Sequence, residues 1–365
     1  RAPRIPFPYM RKNQTGPIVA IAALSVTMAA GQSPATVTGG RLTVSALSGN
    51  ANLKVEVRGA TTRVFGVPGL ADGMAYTGLT GVAVLTGAGS DQVELDIETA
   101  QSFDVRVDTG RGPANHLVKW KILPGAGTPA ANLALSGDAL PERKVSIEID
   151  SESRNAAVTI DAGTASEVSA KVQSSNVSDF LRVGFTAFSP KTGLEVISAA
   201  AALEADIRGG GTATADELKY KIAQSRPAAV NLNWTLDTGA GDDKVEAIVS
   251  ASGSTVTQRG RIQGRAGNDQ ILVESDAFGT STGLSIEGGA GNDQLFQVVK
   301  GRFLPSQTLQ TLMLGGDGDD ELVLTTDTGI FGTGLPNDLF PIIDCGLGND
   351  RFNAFGLIRG CEARL

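Results

Sequence analysis

The chain has 365 residues, 41% hydrophobic and 5% aromatic, with 46 glycines, two cysteines and a net charge of −8. That acidity excludes a nucleic-acid binder acting through a basic surface. The many glycines, the abundant Ala, Val, Thr and Ser, and the lack of any long run of helix formers exclude a helical bundle and suit thin β-coils.

Residues 1–40 read as an extended N-terminal arm. Prolines at 3, 6, 8 and 17 oppose a helix, and Arg1, Arg4, Arg11 and Lys12 make the arm basic. Residues 1–55 hold six basic side chains and no acidic one, which leaves −14 on the rest of the chain. The arm continues into Ile18–Met28, with Ile18, Ile21, Leu24 and Val26 among its apolar residues. By itself this stretch after Arg11-Lys12 reads as the core of a secretory leader. The chain opens at Arg1 without a methionine, so the expectation is that processing lies upstream and the segment stays in the mature protein as a β-strand. It is too short to span a bilayer. It would cap the first coil of its own chain or add to the sheet of another copy.

From residue 41 the chain is built of strand, turn, strand. The same loop returns as Thr-Gly-Ala-Gly-Ser-Asp at 86–91, Thr-Gly-Ala-Gly-Asp-Asp at 238–243, Gly-Arg-Ala-Gly-Asn-Asp at 264–269, Gly-Gly-Ala-Gly-Asn-Asp at 288–293, Gly-Gly-Asp-Gly-Asp-Asp at 315–320 and Cys-Gly-Leu-Gly-Asn-Asp at 345–350. Seven residues before the final Asp stands Val84, Leu236, Ile262, Ile286, Met313 or Ile343; two residues after it stands Val93, Val245, Ile271, Leu295, Leu322 or Phe352. The last four steps are 26, 24, 27 and 30 residues, which suits one coil of a parallel β-solenoid. Degenerate copies at Val107, Ile160 and Ile207, and weaker ones near Leu133 and Val183, fill the earlier part. The expected fold is therefore all-β: a single elongated parallel β-helix, with degenerate coils over 41–230 and clear Gly-Asp turns over 231–365. At about 4.8 Å per stacked strand the shaft would be roughly 50 Å long. Ala200–Ile207 and Ala215–Ala223 are expected as short helical insertions on it.

Glycines at these turns allow positive φ and close backbone approach, while the Asp can fold back on its own turn or hold a cation. Both readings stay open from the residues alone.

Gly288–Leu295 and Gly315–Leu322 match in full the Gly-Gly-x-Gly-x-Asp-x-apolar pattern, and on these residues the chain resembles the haemolysin-type, RTX-like calcium-binding repeat proteins. The likeness covers residues 232–365 well and 81–120 weakly. It implies Ca²⁺ held between successive turns by Asp243, Asp269, Asp293, Asp317, Asp320 and Asp350, since Ca²⁺ takes six to eight oxygens. This sequence departs from that family in having one loop per coil, where RTX repeats recur about every nine residues. The closing stretch is similar to the terminal coil of secreted members, with Cys345 and Cys361 closing the last turn by a disulfide.

Residues for catalysis are scarce. The single histidine, His116, lies in a degenerate loop, and without it no Ser-His-Asp set can be assembled. Asp-Thr-Gly triplets at 108–110, 237–239 and 327–329 resemble aspartic-protease signatures, but the first two fall in the frame of the repeat loop. No cluster of Asp/Glu or Arg/Lys stands out in one repeated column other than the turn aspartates. Asn-x-Ser/Thr triplets begin at Asn13, Asn176 and Asn233. The expectation is a secreted, extracellular or cell-surface structural protein without enzymatic activity, stabilised by Ca²⁺. It would assemble with copies of itself through the arm and meet a surface glycan, with no nucleic-acid partner and no membrane span. The alternative is a carbohydrate-active enzyme on the same shaft.

Overall fold

The computed structural model describes residues 33–364 apart from segments 47–49, 87–89, 99–102, 109–114, 123–130, 137–139, 152–154, 162–164, 175–179, 211–213, 301–307, 327–340 and 355–356. The described residues contain strands and no helix. Apolar residues alternate with polar ones along each strand, so one face of every strand points inward. In Ala229–Asp237, for example, Val230, Leu232, Trp234 and Leu236 are buried and the residues between them face out.

Two parallel sheets enclose the core, and the chain crosses from one to the other at each half coil. The longer sheet stacks Asn52–Arg58, Gln92–Glu98, Asn115–Ile122, Leu140–Ser151, Ala165–Ser174, Lys191–Ser198 and Glu217–Gln224 in turn. It continues through Lys244–Ala266 and Gln270–Ala290 to Ala363–Arg364. The facing sheet runs from Asn155–Asp161 through Phe180–Phe188, Ala202–Gly210 and Ala229–Asp237 to Leu357–Arg359. Lys244–Ala266 and Gln270–Ala290 bend between the two and serve both. This is the all-β parallel β-solenoid expected from the loop spacing.

Leu236, Ile262, Ile286, Met313 and Ile343 stack in consecutive register, and Val84 lies between Val44 and Val107 in the N-terminal coils. All six are at most 1% exposed. The companion column Val245, Ile271, Leu295, Leu322 and Phe352 stacks likewise.

Three expectations are corrected. Ala200–Ile207 and Ala215–Ala223 hold no helix: Ala202–Gly210 and Glu217–Gln224 are full strands whose Leu203, Ala205 and Ile207, and Leu218, Tyr220 and Ile222, point inward at period two. Ile160 and Ile207 do not continue the Leu236 column. They stack with Phe185 and Trp234, and it is Ala187 and Gly209 that lie in line with Leu236. A bulky aromatic layer explains this two-residue offset: Phe185, Tyr220 and Trp234 pack edge to face at 6.3 and 5.9 Å, and a Cβ on Gly209 would lie 2.2 Å from the Tyr220 hydroxyl. Third, the N-terminal coils are not purely parallel. Ala35–Thr38 pairs antiparallel with Arg41–Ala46, and Thr61–Phe65 and Met74–Thr77 form an antiparallel meander on Asn52–Arg58. These strands lie over the open N-terminal end of the core, whose backbone groups would otherwise be unpaired. At the other end the strands shorten to Arg351–Asn353, Leu357–Arg359 and Ala363–Arg364, and a disulfide joins Cys345 to Cys361.

Candidate functional site: a stacked aspartate edge

The repeated turns superpose along one edge of the shaft because the backbones approach too closely there for side chains. Gly267, Gly291, Gly318 and Gly348 have φ between 133° and 153°. A Cβ on any of them would lie 1.8–2.0 Å from the carbonyl oxygen of the equivalent residue one coil back. Arg265 is the one described non-glycine with positive φ, at 83°, and its guanidinium forms a forked ion pair with Asp237 of the preceding coil.

On this frame the final Asp of each loop turns under the stack. Its Oδ1 accepts the backbone N–H of its counterpart in the preceding coil: Asp243 from Asp216 at 2.8 Å, Asp269 from Asp243 at 2.9 Å, Asp293 from Asp269 at 2.8 Å, Asp320 from Asp293 at 2.8 Å and Asp350 from Asp320 at 2.9 Å. Glu362 closes the series by accepting from Asp350 at 3.0 Å, and Asp91 serves Ala51 at 2.9 Å near the N-terminus. The preceding residue forms an outer ladder of opposite direction. Asp242 accepts from the Asn268 amide at 2.8 Å, Asn268 from Asn292 at 2.9 Å, Asn292 from Asp319 at 2.8 Å and Asp319 from Asn349 at 2.9 Å. Each turn is thus tied to both neighbours by side-chain acceptors, and neither bond is the turn-internal one expected of such an Asp.

The second carboxylate oxygen has a different fate. Oδ2 of Asp269, Asp293 and Asp320 is buried without a hydrogen-bond partner. A Cβ on Gly288 would lie 2.2 Å from Oδ2 of Asp293 and 2.7 Å from the Gly315 carbonyl oxygen, so two acceptors flank one buried point. Burial raises the Asp269 carboxyl to about 7 and those of Asp293 and Asp320 to about 6. In each case the accepted N–H opposes the rise and neighbouring carboxylates add to it. Asp243 and Asp350 are raised by burial as well. Asp317 stands apart, exposed at the tip of its turn. Among the described residues no three His, Cys, Asp or Glu side chains converge on a single metal position.

The stacked register also places charges that sequence reasoning missed. On the outer face of the longer sheet Lys54, Glu94, Lys119, Glu148, Lys171, Glu195 and Lys221 follow one another rung by rung. A second alternation, Glu167, Lys191, Glu217, Lys244, lies four residues earlier along the strands. Ion pairs link Lys54 to Glu94 at 2.9 Å, Lys119 to Glu148 at 3.5 Å and Glu195 to both Lys171 and Lys221 at 3.6 and 3.3 Å. Lys219, with Lys191 and Lys244 beyond it, holds the Glu217 carboxyl below the ordinary carboxylate range. Like charges stacked at strand spacing would repel, so alternation suits a parallel in-register sheet. Asp216 and Glu362 were missed too, although Asp216-Glu217-Leu218 carries the Asp-x-apolar signal of the other loops.

Arg1, Arg4, Arg11, Lys12, Ile18, Ile21, Leu24 and Val26 lie outside the described residues, as does the triplet at 327–329. His116 belongs to the strand Asn115–Ile122 and not to a loop. Asp237 of the second triplet is engaged by Arg265. No described helix is long and apolar enough to cross a membrane. Comparison with protein-family models, curated proteins and solved structures returned no match.

Proposed function

We propose that this chain is a secreted structural protein: a β-solenoid shaft that assembles with copies of itself in a surface layer, an extracellular filament or another repetitive particle. The observation that carries the reading is the use of its repeated polar groups. The turn carboxylates bond rung to rung, and the Lys/Glu columns neutralise themselves along the shaft. A disulfide at the C-terminal end fits an oxidising, extracellular setting. The basic arm ahead of Ala35–Thr38 is the assembly element in this reading, adding a strand to a neighbour and steering it by charge against an acidic body. Removing residues 1–31 should leave a folded monomer by light scattering, whereas the full chain forms higher species that salt weakens. A truncated chain that assembles as before contradicts the role of the arm.

Ca²⁺ belongs to the same proposal, after the resemblance to RTX-like repeats. The oxygens at the turn edge, Oδ2 of Asp269, Asp293 and Asp320 beside the carbonyls of Gly288, Gly315 and Cys345, are of the hard type Ca²⁺ prefers. Asp243, Asp350 and the exposed Asp317 would complete the edge. The melting temperature at about pH 8 should fall with EGTA and recover with Ca²⁺; a curve indifferent to both leaves protons as the only relief for those carboxylates.

A further inference from the structure

The two sheets differ in what their outer faces leave free. On the facing sheet, across Asn155–Asp161, Phe180–Phe188, Ala202–Gly210, Ala229–Asp237 and the second half of Lys244–Ala266, two adjoining depressions of about 330 and 310 Å³ share Arg182 and Asp206. Their floor is the column Thr159, Gly184, Asp206, Asn233, Arg259, and Gly184 makes the dip because no side chain stands there. Arg182, Glu204, Asn231 and Thr257 form the adjacent column.

The groups in this trough are less committed than the Lys/Glu columns. Arg259, Asn231 and Asn233 make no side-chain hydrogen bond or ion pair with any described residue. Arg182 stands 3.8 Å from Glu204, while Arg208 is paired to Asp206 at 3.1 Å. Three arginines against two carboxylates give a locally positive strip on an acidic body, which attracts an anionic ligand. A guanidinium offers a planar fork to a carboxylate, and carboxamides both donate to and accept from hydroxyls. Phe185 is the one aromatic residue along the trough, and its ring is turned into the core against Tyr220, so no aromatic face is offered on the outside. A neutral sugar therefore lacks a stacking platform, and stacked nucleic-acid bases lack one too. Successive rungs recur about every 4.8 Å, close to the length of one pyranose ring. A linear chain lying along the shaft would meet a fresh set of polar groups at each step.

We propose that this trough binds a polyuronate chain parallel to the shaft axis, with Arg259 and Arg182 taking carboxylates and Asn231 and Asn233 taking ring hydroxyls. The site is independent of the assembly arm. Titration calorimetry of the full chain with hexagalacturonate, against cellohexaose as the neutral control, tests it. The expected result is binding of the uronate only, weakened about tenfold by Arg259→Ala and by Arg182→Ala and less by Arg259→Lys, which keeps the charge but loses the fork. Lys171→Ala on the opposite sheet leaves binding unchanged, and all four variants melt as the parent does, because the side chains are outward-facing. No heat with hexagalacturonate, equal binding of cellohexaose, or an Arg259→Ala protein that binds like the parent overturns the proposal.

Discussion

At the turn edge each aspartate uses one oxygen to hold a neighbouring coil and leaves the other buried. For Asp269, Asp293 and Asp320 the folded chain holds its proton to about pH 7, 6 and 6, whereas an unfolded carboxylate releases it near 4. The folded pKa is the higher one, so the stability these groups add is fully present below about pH 4 and is lost as pH rises through 6–7. Without added Ca²⁺, the melting temperature should therefore fall between about pH 5 and pH 8. Replacing all three by Asn should flatten that fall, because the amide keeps the Oδ1 acceptor and can donate toward the flanking carbonyl of Gly288, Gly315 or Cys345. Equal pH slopes for parent and variant contradict the assignment. The aspartates were legible in the sequence as a fixed frame around a turn. Their partners were not, since an acceptor 24–30 residues away can be named only once the coil register is known.

At the scale of the element, the turn is defined by close approach. Gly291→Ala sets a Cβ 1.9 Å from the Gly267 carbonyl oxygen at φ 133°, which should destabilise by about 3 kcal/mol or more. Arg265→Gly should go the other way. It relieves the backbone strain at φ 83° and gives up only an exposed ion pair, so the variant should be at least as stable as the parent in chemical denaturation. A stable Gly291→Ala protein would mean the turns do not stack in this register. The strands themselves were legible from period-two alternation, with two failures. In Ala202–Gly210 and Glu217–Gln224 the Ala, Glu and Lys content masked the alternation, because local propensity is weaker than burial against a stacked neighbour. The Lys/Glu columns stayed hidden for the same reason as the aspartate partners: Glu148, Lys171, Glu195 and Lys221 are unevenly spaced and meet only when the coils are aligned.

For the whole molecule, each coil contacts mainly its neighbours, so stability is a sum of coil and interface terms. The solenoid was legible because the last five of six near-identical loops repeat at coil-length intervals. The antiparallel cover at the N-terminal end was not, because its strands carry no copy of the loop and resemble ordinary hairpins. The ladder has a direction that a generic turn role lacks: the carboxylate of one coil serves the amide of the coil before it. Asp293→Ala should therefore strip the acceptor from the Asp269 amide, leaving a buried N–H unpaired at about 1–3 kcal/mol, while the Asp293 amide keeps Asp320. Residue-resolved hydrogen exchange on the full chain is the most direct measurement. The expected result is an Asp269 amide that exchanges at least about tenfold faster in the variant, with the Asp293 and Asp243 amides unchanged. An Asp269 amide as protected as in the parent, or faster exchange at Asp293 alone, would contradict a shaft held together by carboxylates reaching back across its coils.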